Sequence, residues 1–334
     1  MAGAGSADCP KRDCVVILAP ESDIHAIAVA RALASDHPDH SVFIVDTAKF
    51  PTELNLSLRP GGWSLSSKDW RIESERVSGL WHRRPAPPVP DEAIHDVATR
   101  GFARQESALA IDCLSVELDY RVVNPIGRHF LANRKPYQLR AAQACGLRVP
   151  AYDVTNEPGR VAGLLDKHGD NSFVFKTLGP SAHVIAETRY LNRDHLASAS
   201  AMRLAPVIYQ RAIRRRREYR VVFVDPHIFV HELVFHNDTA ARYPDWRLDL
   251  TIESRASSLP EEVLAKTRAL MKVLGLHYAA IDFIEDDAKD IWFLEVNPQG
   301  QFLFNQIDAG TPICAAMAEL LATPFADRRP SVHS

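Results

Sequence analysis

Tyr278-Ala-Ala-Ile-Asp282-Phe-Ile-Glu-Asp-Asp-Ala-Lys-Asp-Ile-Trp-Phe-Leu-Glu295-Val-Asn297-Pro-Gln-Gly-Gln301 reads as two strands joined by a polar turn. Ala280 to Ile284 is the first strand, Ile291 to Val296 the second, and Glu285 to Asp290 the hairpin connection. Side chains alternate between the faces of a strand, so Glu295 and Asn297 share one face, and Asp282 on the partner strand is placed to face them. Two carboxylates and an amide oxygen among apolar neighbours are costly to bury unpaired. A hard cation such as Mg²⁺, which takes oxygen ligands and shares them with substrate phosphates, removes that cost. The competing reading is a pair of edge-strand charges facing water. Pro298 ends the strand and Gly300 permits a tight turn beside the phosphates, which favours the metal site.

The chain around this hairpin has 334 residues, enough for two or three packed lobes. Its hydrophobic fraction of 46% and charged fraction of 24% are those of a globular protein. A net charge of −3 argues against a general nucleic-acid binder, and no apolar run reaches transmembrane length, so neither a nucleic-acid nor a membrane partner is expected. Five scattered cysteines, Cys9, Cys14, Cys113, Cys145 and Cys314, have no paired metal spacing and point to a reduced, cytoplasmic setting.

Along the chain, Cys14 to Pro20 and Ser41 to Asp46 are buried-strand runs around a helix from Ile24 to Ala34 that Asp23 caps. The chain therefore opens as a β-α-β unit, and a parallel sheet follows. No Gly-x-Gly-x-x-Gly follows the first strand, which weakens a dinucleotide-binding reading. Leu54–Leu58 and Gly62–Leu65 suggest a hairpin, Val77–Pro85 a strand ending in Arg83-Arg84, and Asp91 to Leu118 a long helix. From His129 the pattern changes to a helix reaching Gly146, a strand over Ser172–Lys176, and a return strand from His183 to Thr188. Glu218–Asp225 and Ile228–Phe235 are further strands, and Glu261–Leu274 is a helix stopped by Gly275. The expected division is a parallel α/β lobe over residues 1–128, a small α+β lid lobe over 129–205, and an antiparallel-sheet lobe carrying the metal site over 206–334.

Asp282 followed by Glu295-x-Asn297-Pro resembles the metal-binding signature of the ATP-grasp carboxylate–amine ligases. That resemblance implies an ATP-grasp α/β fold, with nucleotide between the lid and the C-terminal lobe and ATP with Mg²⁺ as cofactors. It implies Asp282, Glu295 and Asn297 as metal ligands, and Lys135 and Lys176 as the lysines that contact the ATP phosphates and adenine. Tyr209-Gln210-Arg211-Ala212-Ile213 resembles the inter-lobe hinge, where the backbone of Arg211 and Ala212 would pair with the adenine edge. Glu218-x-Arg220 resembles the pair in which an acid takes the ribose hydroxyls and an arginine the transferring phosphate. Arg247 resembles a further arginine that holds the phosphate or acyl phosphate, a role for which its planar fork is suited. Leu178-Gly179-Pro180-Ser-Ala-His183 departs from the family by having one glycine where many relatives have several, so it is assigned no site residue.

Trp81-His-Arg-Arg-Pro85, Asn124-Pro125, Lys135-Pro-x-Gln138-Leu, Gly146-Leu-Arg-Val-Pro150, Asp245-Trp-Arg247 and Glu295-Val-Asn-Pro-x-Gly-Gln301 together resemble the graspetide (microviridin-type) peptide maturases of that superfamily, over roughly residues 14 to 323. The implied activity is ATP-dependent joining of Asp or Glu side chains to Ser, Thr or Lys side chains within a ribosomal precursor peptide. The implied partner is that peptide, with an acidic and hydroxyl-rich core that Arg83-Arg84 and Arg214–Arg217 would attract; a homo-oligomer stays open. A small-molecule carboxylate–amine ligase and a nucleotide-binding protein without turnover are the alternatives. His227, His231 and His236 are candidate bases, although the alternation around them also fits plain strand-face residues.

Overall fold

The computed structural model describes residues 13–118, 121–179, 187–235, 245–246 and 251–323. The chain opens with β1 (Cys14–Leu18), α1 (Ile24–Asp36) and β2 (Ser41–Val45). Asp23 caps α1, its carboxylate accepting from His25 N and Ala26 N at 2.9 Å each. β3 (Asn55–Arg59), β4 (Gly62–Ser66) and β5 (Arg71–Glu73) form an antiparallel meander, one strand more than the expected hairpin. β6 (Val77–His82) leads to α2 (Val97–Leu118), and β7 (Val122–Val123) completes a parallel sheet in the order β2-β1-β6-β7. α2 begins later than expected because Asp96, not Asp91, accepts from Thr99 N at 2.7 Å.

The expected helix from His129 to Gly146 is divided into α3 (Ile126–Ala132) and α4 (Lys135–Ala144). Proline is tolerated only in the first turn of a helix, and Pro136 takes that place in α4. The elements of the expected lid follow: β8 (Tyr152–Thr155), α5 (Pro158–His168), β9 (Phe173–Lys176), β10 (Arg189–Tyr190) and α6 (Ala199–Met202), and their sheet also takes in β11 (Val207–Arg211), past the expected boundary at residue 205. This antiparallel sheet has the order β10-β9-β11-β8. Most of the expected return strand from His183, and the loop from Pro180, lie outside the described residues.

The last sheet, ordered β14-β13-β12-β15-β16, is antiparallel throughout and is built from β12 (Arg217–Val224), β13 (His227–Val234), β14 (Glu253–Ala256), β15 (Tyr278–Glu285) and β16 (Ile291–Asn297). α7 (Glu261–Leu274) lies between β14 and β15 and ends at Gly275, whose φ of +68° suits glycine. α8 (Leu303–Ala309) and α9 (Ile313–Ala322) close the chain. One face of this sheet buries Val221, Ile281, Phe283 and Phe293 against α4 and α7. α9 returns to the first lobe, where Met317 and Leu321 pack with Val15, Ile17 and Leu33. The C-terminal end of the chain thus joins the parallel sheet to the antiparallel one, and the loop after β16 runs through that joint.

No helix among the described residues is long and apolar enough to cross a membrane. Cys14, Cys113, Cys145 and Cys314 are all free thiols.

Candidate active site

β12, β15 and β16 bring the charged residues of the sequence pattern into one row. Arg220 lies opposite Asp282, and Asp282 opposite Glu295. Asn297 lies opposite Ala280, two residues before Asp282, so the period of two places all three expected ligands on the same face as Arg220 and Glu218. The acids are held by cations of the chain. Arg220 Nη1 donates to Asp282 Oδ1 at 2.7 Å, and Lys135 Nζ to Glu295 Oε2 at 2.5 Å, with Lys176 Nζ 4.0 Å from the same oxygen. Lys135 comes from the first turn of α4 and Lys176 from the end of β9, so two separate elements aim ammonium groups at one carboxylate.

Gln138, one turn after Lys135, sets the position of β16. Its side-chain amide pairs with the main chain of Val296, Nε2 donating to Val296 O at 2.7 Å and Oε1 accepting from Val296 N at 3.0 Å. The amide takes the place of a neighbouring strand, and it fixes Glu295 and Asn297 on either side of its partner. The sequence carries Gln138 inside the Lys135-Pro-x-Gln138 motif, but nothing local announces this role.

The row faces a cleft roofed by the lid sheet. Its walls include Val174, Lys176, Gln210, Arg211, Ala212 and Ile213 from the lid side, and Glu218, Asp245, Trp246, Asp282, Ile284, Leu294 and Glu295 from the other. A lining of apolar and charged side chains together suits a base and its phosphates. Gln210 is buried, and its Nε2 has no hydrogen-bond partner among the described residues. A buried donor left open in a cleft wall is what a polar ligand there would satisfy. Glu218 is buried against Arg215, whose Nη1 donates to it, and burial pushes its carboxyl up to about 7 despite that cation.

One expectation about the hinge needs correction. The backbone N–H groups of Arg211 and Ala212 are not open to an adenine: they donate to Ala151 O at 2.7 Å and Ser172 O at 2.9 Å. β11 is flanked by β8 and β9 on both sides, so its N–H groups are consumed by its neighbours. Ile213, beyond the ladder, is the first residue of the hinge whose N–H makes no backbone hydrogen bond among the described residues. The arginines of the basic run have acids beside them within the chain, Arg214 while staying exposed. Arg214 pairs with Asp287, Arg215 with Glu218, Arg216 with Glu285 and Arg217 with Glu232.

Arg83 is 1% exposed, so of the pair expected to attract the peptide only Arg84 is at the surface. Arg247 and His236 lie outside the described residues. His231 is fully buried with Nε2 3.0 Å from Thr311 Oγ1, and His227 is 3.8 Å from Glu319; neither lines the cleft.

The donor set fits a hard cation. Asp282, Glu295 and Asn297 offer oxygen only, from adjacent strands and one face. Asn297 Oδ1 accepts from Gln299 N at 3.0 Å, which leaves it a second lone pair. Among the described residues no cluster of three or more His, Cys, Asp or Glu is placed to hold a metal alone. That agrees with Mg²⁺, which is ordinarily held by one or two carboxylates together with substrate phosphates.

No protein-family model matches the chain, and no curated protein matches it. Solved structures do. The macrocyclase MdnC from Microcystis aeruginosa MRC, bound with precursor peptide MdnA, is 26% identical over 93% of this chain and 99% of that chain, with a TM-score of 0.82. The macrocyclase MdnB from the same organism is 27% identical over 92% of this chain and 99% of that chain, with a TM-score of 0.76. A RiPP-associated ATP-grasp ligase from Chryseobacterium gregarium, in complex with ADP and a leader and core peptide, has the same fold at 21% identity, covering 95% of this chain and 98% of that chain with a TM-score of 0.81. The fold is that of an ATP-grasp ligase, and the oxygen donors and cations of the site suit such an enzyme. Within that class the chain resembles the RiPP-associated macrocyclases, the group to which its sequence motifs pointed.

Proposed function

We propose that this ATP-grasp ligase activates an Asp or Glu side chain of a ribosomal precursor peptide as an acyl phosphate and joins it to a Ser, Thr or Lys side chain of the same peptide. The observation that carries the reading is the row Arg220–Asp282–Glu295 with Lys135 and Lys176 at its end, facing a cleft whose other wall holds an open Gln210 amide. The likeness to macrocyclases, one of them solved with its precursor peptide, supports a peptide as the substrate.

A carboxylate is a poor electrophile, and phosphorylation makes it a good one. The substrate carboxylate attacks the γ-phosphorus of ATP and ADP leaves. A hydroxyl or amine then attacks the acyl-phosphate carbonyl, phosphate departs and the nucleophile gives up its proton. Asp282, Glu295 and Asn297 would hold Mg²⁺, which when bound neutralises and orients the phosphate oxygens. Lys135 and Lys176 bring positive charge to the triphosphate, and Arg220 stabilises the phosphoryl group in transfer. Arg247 is assigned to the same phosphoryl group. Glu218 takes the ribose hydroxyls, and Gln210, Arg211, Ala212 and Ile213 line the base, with Ile213 N–H as the backbone donor. Most of the rate gain comes from positioning and charge, since the side chains form no bond to the substrate.

Incubation with Mg²⁺, ATP and a peptide from a neighbouring short reading frame rich in Thr and Glu or Asp tests the reading. The expected product has lost one water per ring, and one ADP appears for each. ATP consumed only with amino acids or other small carboxylates would assign the chain to small-molecule ligation instead.

A further inference from the structure

The turn after β16, Pro298-Gln299-Gly300-Gln301, has each of its carbonyls taken by a side chain. Asn124 Nδ2 donates to Pro298 O at 3.2 Å, and Arg83 Nη1 to Gln299 O at 2.6 Å. Arg84 Nη2 donates to the same Gln299 O at 3.0 Å. Tyr278 Oη donates to Gly300 O at 2.5 Å, and Arg220 Nη2 to Gln301 O at 3.1 Å. Three guanidinium groups therefore meet on three consecutive residues next to the phosphate-binding row.

The charges there do not balance. Asp23 lies 3.5 Å from Arg83 Nε and Asp282 pairs with Arg220, so among the described residues two carboxylates face three arginines. Arg83 is fully buried, yet its Nη2 has no hydrogen-bond partner among the described residues. Arg84 is exposed, and its pKa is lowered by loss of water and by Arg83 and, less, Arg220. A cationic cluster with one charge unmatched among the described residues and one of its arginines exposed is arranged to receive an anion.

We infer that Arg84, backed by Arg83, receives the substrate side-chain carboxylate at the joint between the parallel-sheet lobe and the metal-acid strand. The proposal rests on the ligase reading and names where its electrophile waits. Two anions compete for such a site, a carboxylate and a phosphate. Arg84 follows β6 and reaches the turn at Gln299, whereas Arg220 reaches it at Gln301 from β12, opposite Asp282 in the row of acids. This assigns the phosphate to Arg220 and the carboxylate to Arg84. It also gives the Trp81-His-Arg-Arg-Pro85 motif a function: Arg83 locks the turn, and Arg84 is presented at its edge.

Affinities of N-acetylglutamate methylamide, its neutral glutamine counterpart, inorganic phosphate and Mg²⁺·ADP are to be measured for the wild type, Arg84→Gln and Arg84→Lys. A charge-assisted pair at this site should make the wild type prefer the glutamate probe by about tenfold or more. Arg84→Gln should erase that preference, Arg84→Lys should keep part of it, and ADP affinity should stay as it was. The assignment is wrong if the wild type shows no preference, if the preference survives Arg84→Gln, or if phosphate and ADP weaken as much as the glutamate probe does. Absence of ADP binding beside an intact glutamate preference would reject the ligase reading and leave the carboxylate site standing.

Discussion

Gly300→Ala is expected to damage this enzyme out of proportion to its size. A Cβ added at Gly300 would lie 2.2 Å from Ala280 Cβ and 2.9 Å from Arg220 Nη2. Ordinary carbon contacts begin near about 3.5 Å, so the turn must retreat from β15 by roughly 1 Å. The guanidinium of Arg220 is able to swing aside, but Ala280 sits in the middle of β15 and has nowhere to go. Overpacking of this kind costs about 1–3 kcal/mol of stability. The retreat also carries away Gln301 O, one of the partners of Arg220, and a shift of about 1 Å in a transfer site is worth about a hundredfold in rate. Urea unfolding and peptide-dependent ADP release measure the two losses. Ala280→Gly in the same chain removes the worst contact and should restore most of both. A Gly300→Ala variant as stable and active as the wild type, or one that Ala280→Gly does not help, would show that the close approach at this turn is not needed.

Other outcomes follow from the same geometry. Gln138→Leu leaves Val296 N and O buried without their partner, so urea unfolding should report a loss of about 2–4 kcal/mol and ADP release a larger fall than stability explains. For Glu218, burial raises the folded carboxyl to about 7 from an unfolded value near 4.5. The folded state then binds the extra proton between those values, so this group's stabilisation is present at low pH and is lost as pH rises through about 7. Comparing unfolding free energies with Glu218→Gln across that window isolates it, and parallel curves would refute the assignment. His25 works in the opposite direction: burial holds its pKa near 4, where Nε2 accepts from Phe302 N at 3.1 Å. Its stabilisation is fully present above the ordinary histidine pKa and is lost as pH falls through about 4. His25→Leu should flatten the acid limb of the stability curve.

The acid hairpin was legible because strand alternation and a polar turn are local signals. Asp282, Glu295 and Asn297 fall on one face for the same reason that any i, i+2 pair does. Lys135 and Lys176 were legible by their order along the chain, and the structure brings both to Glu295. What stayed hidden depends on partners far away in sequence. Arg83 reads as half of a pair that attracts the peptide until residues 299 and 300, more than two hundred positions later, supply carbonyls to its buried guanidinium. The run Arg214–Arg217 reads as a docking patch, and only the structure shows the acids beside each arginine on β12, β13, β15 or the β15–β16 turn. The hinge amides of Arg211 and Ala212 look open in a short strand exit, and only the sheet order shows β11 paired on both edges.

The central claim is that Asp282, Glu295 and Asn297 bind ATP through a divalent cation. Titrating ATP by calorimetry with and without Mg²⁺, in the wild type and in Glu295→Gln, tests it directly. Mg²⁺ should raise the affinity of the wild type by about tenfold or more, because two carboxylates otherwise repel the triphosphate, and Glu295→Gln should lose most of that gain. Equal affinity with and without Mg²⁺ in the wild type, or a gain untouched by Glu295→Gln, would contradict the account.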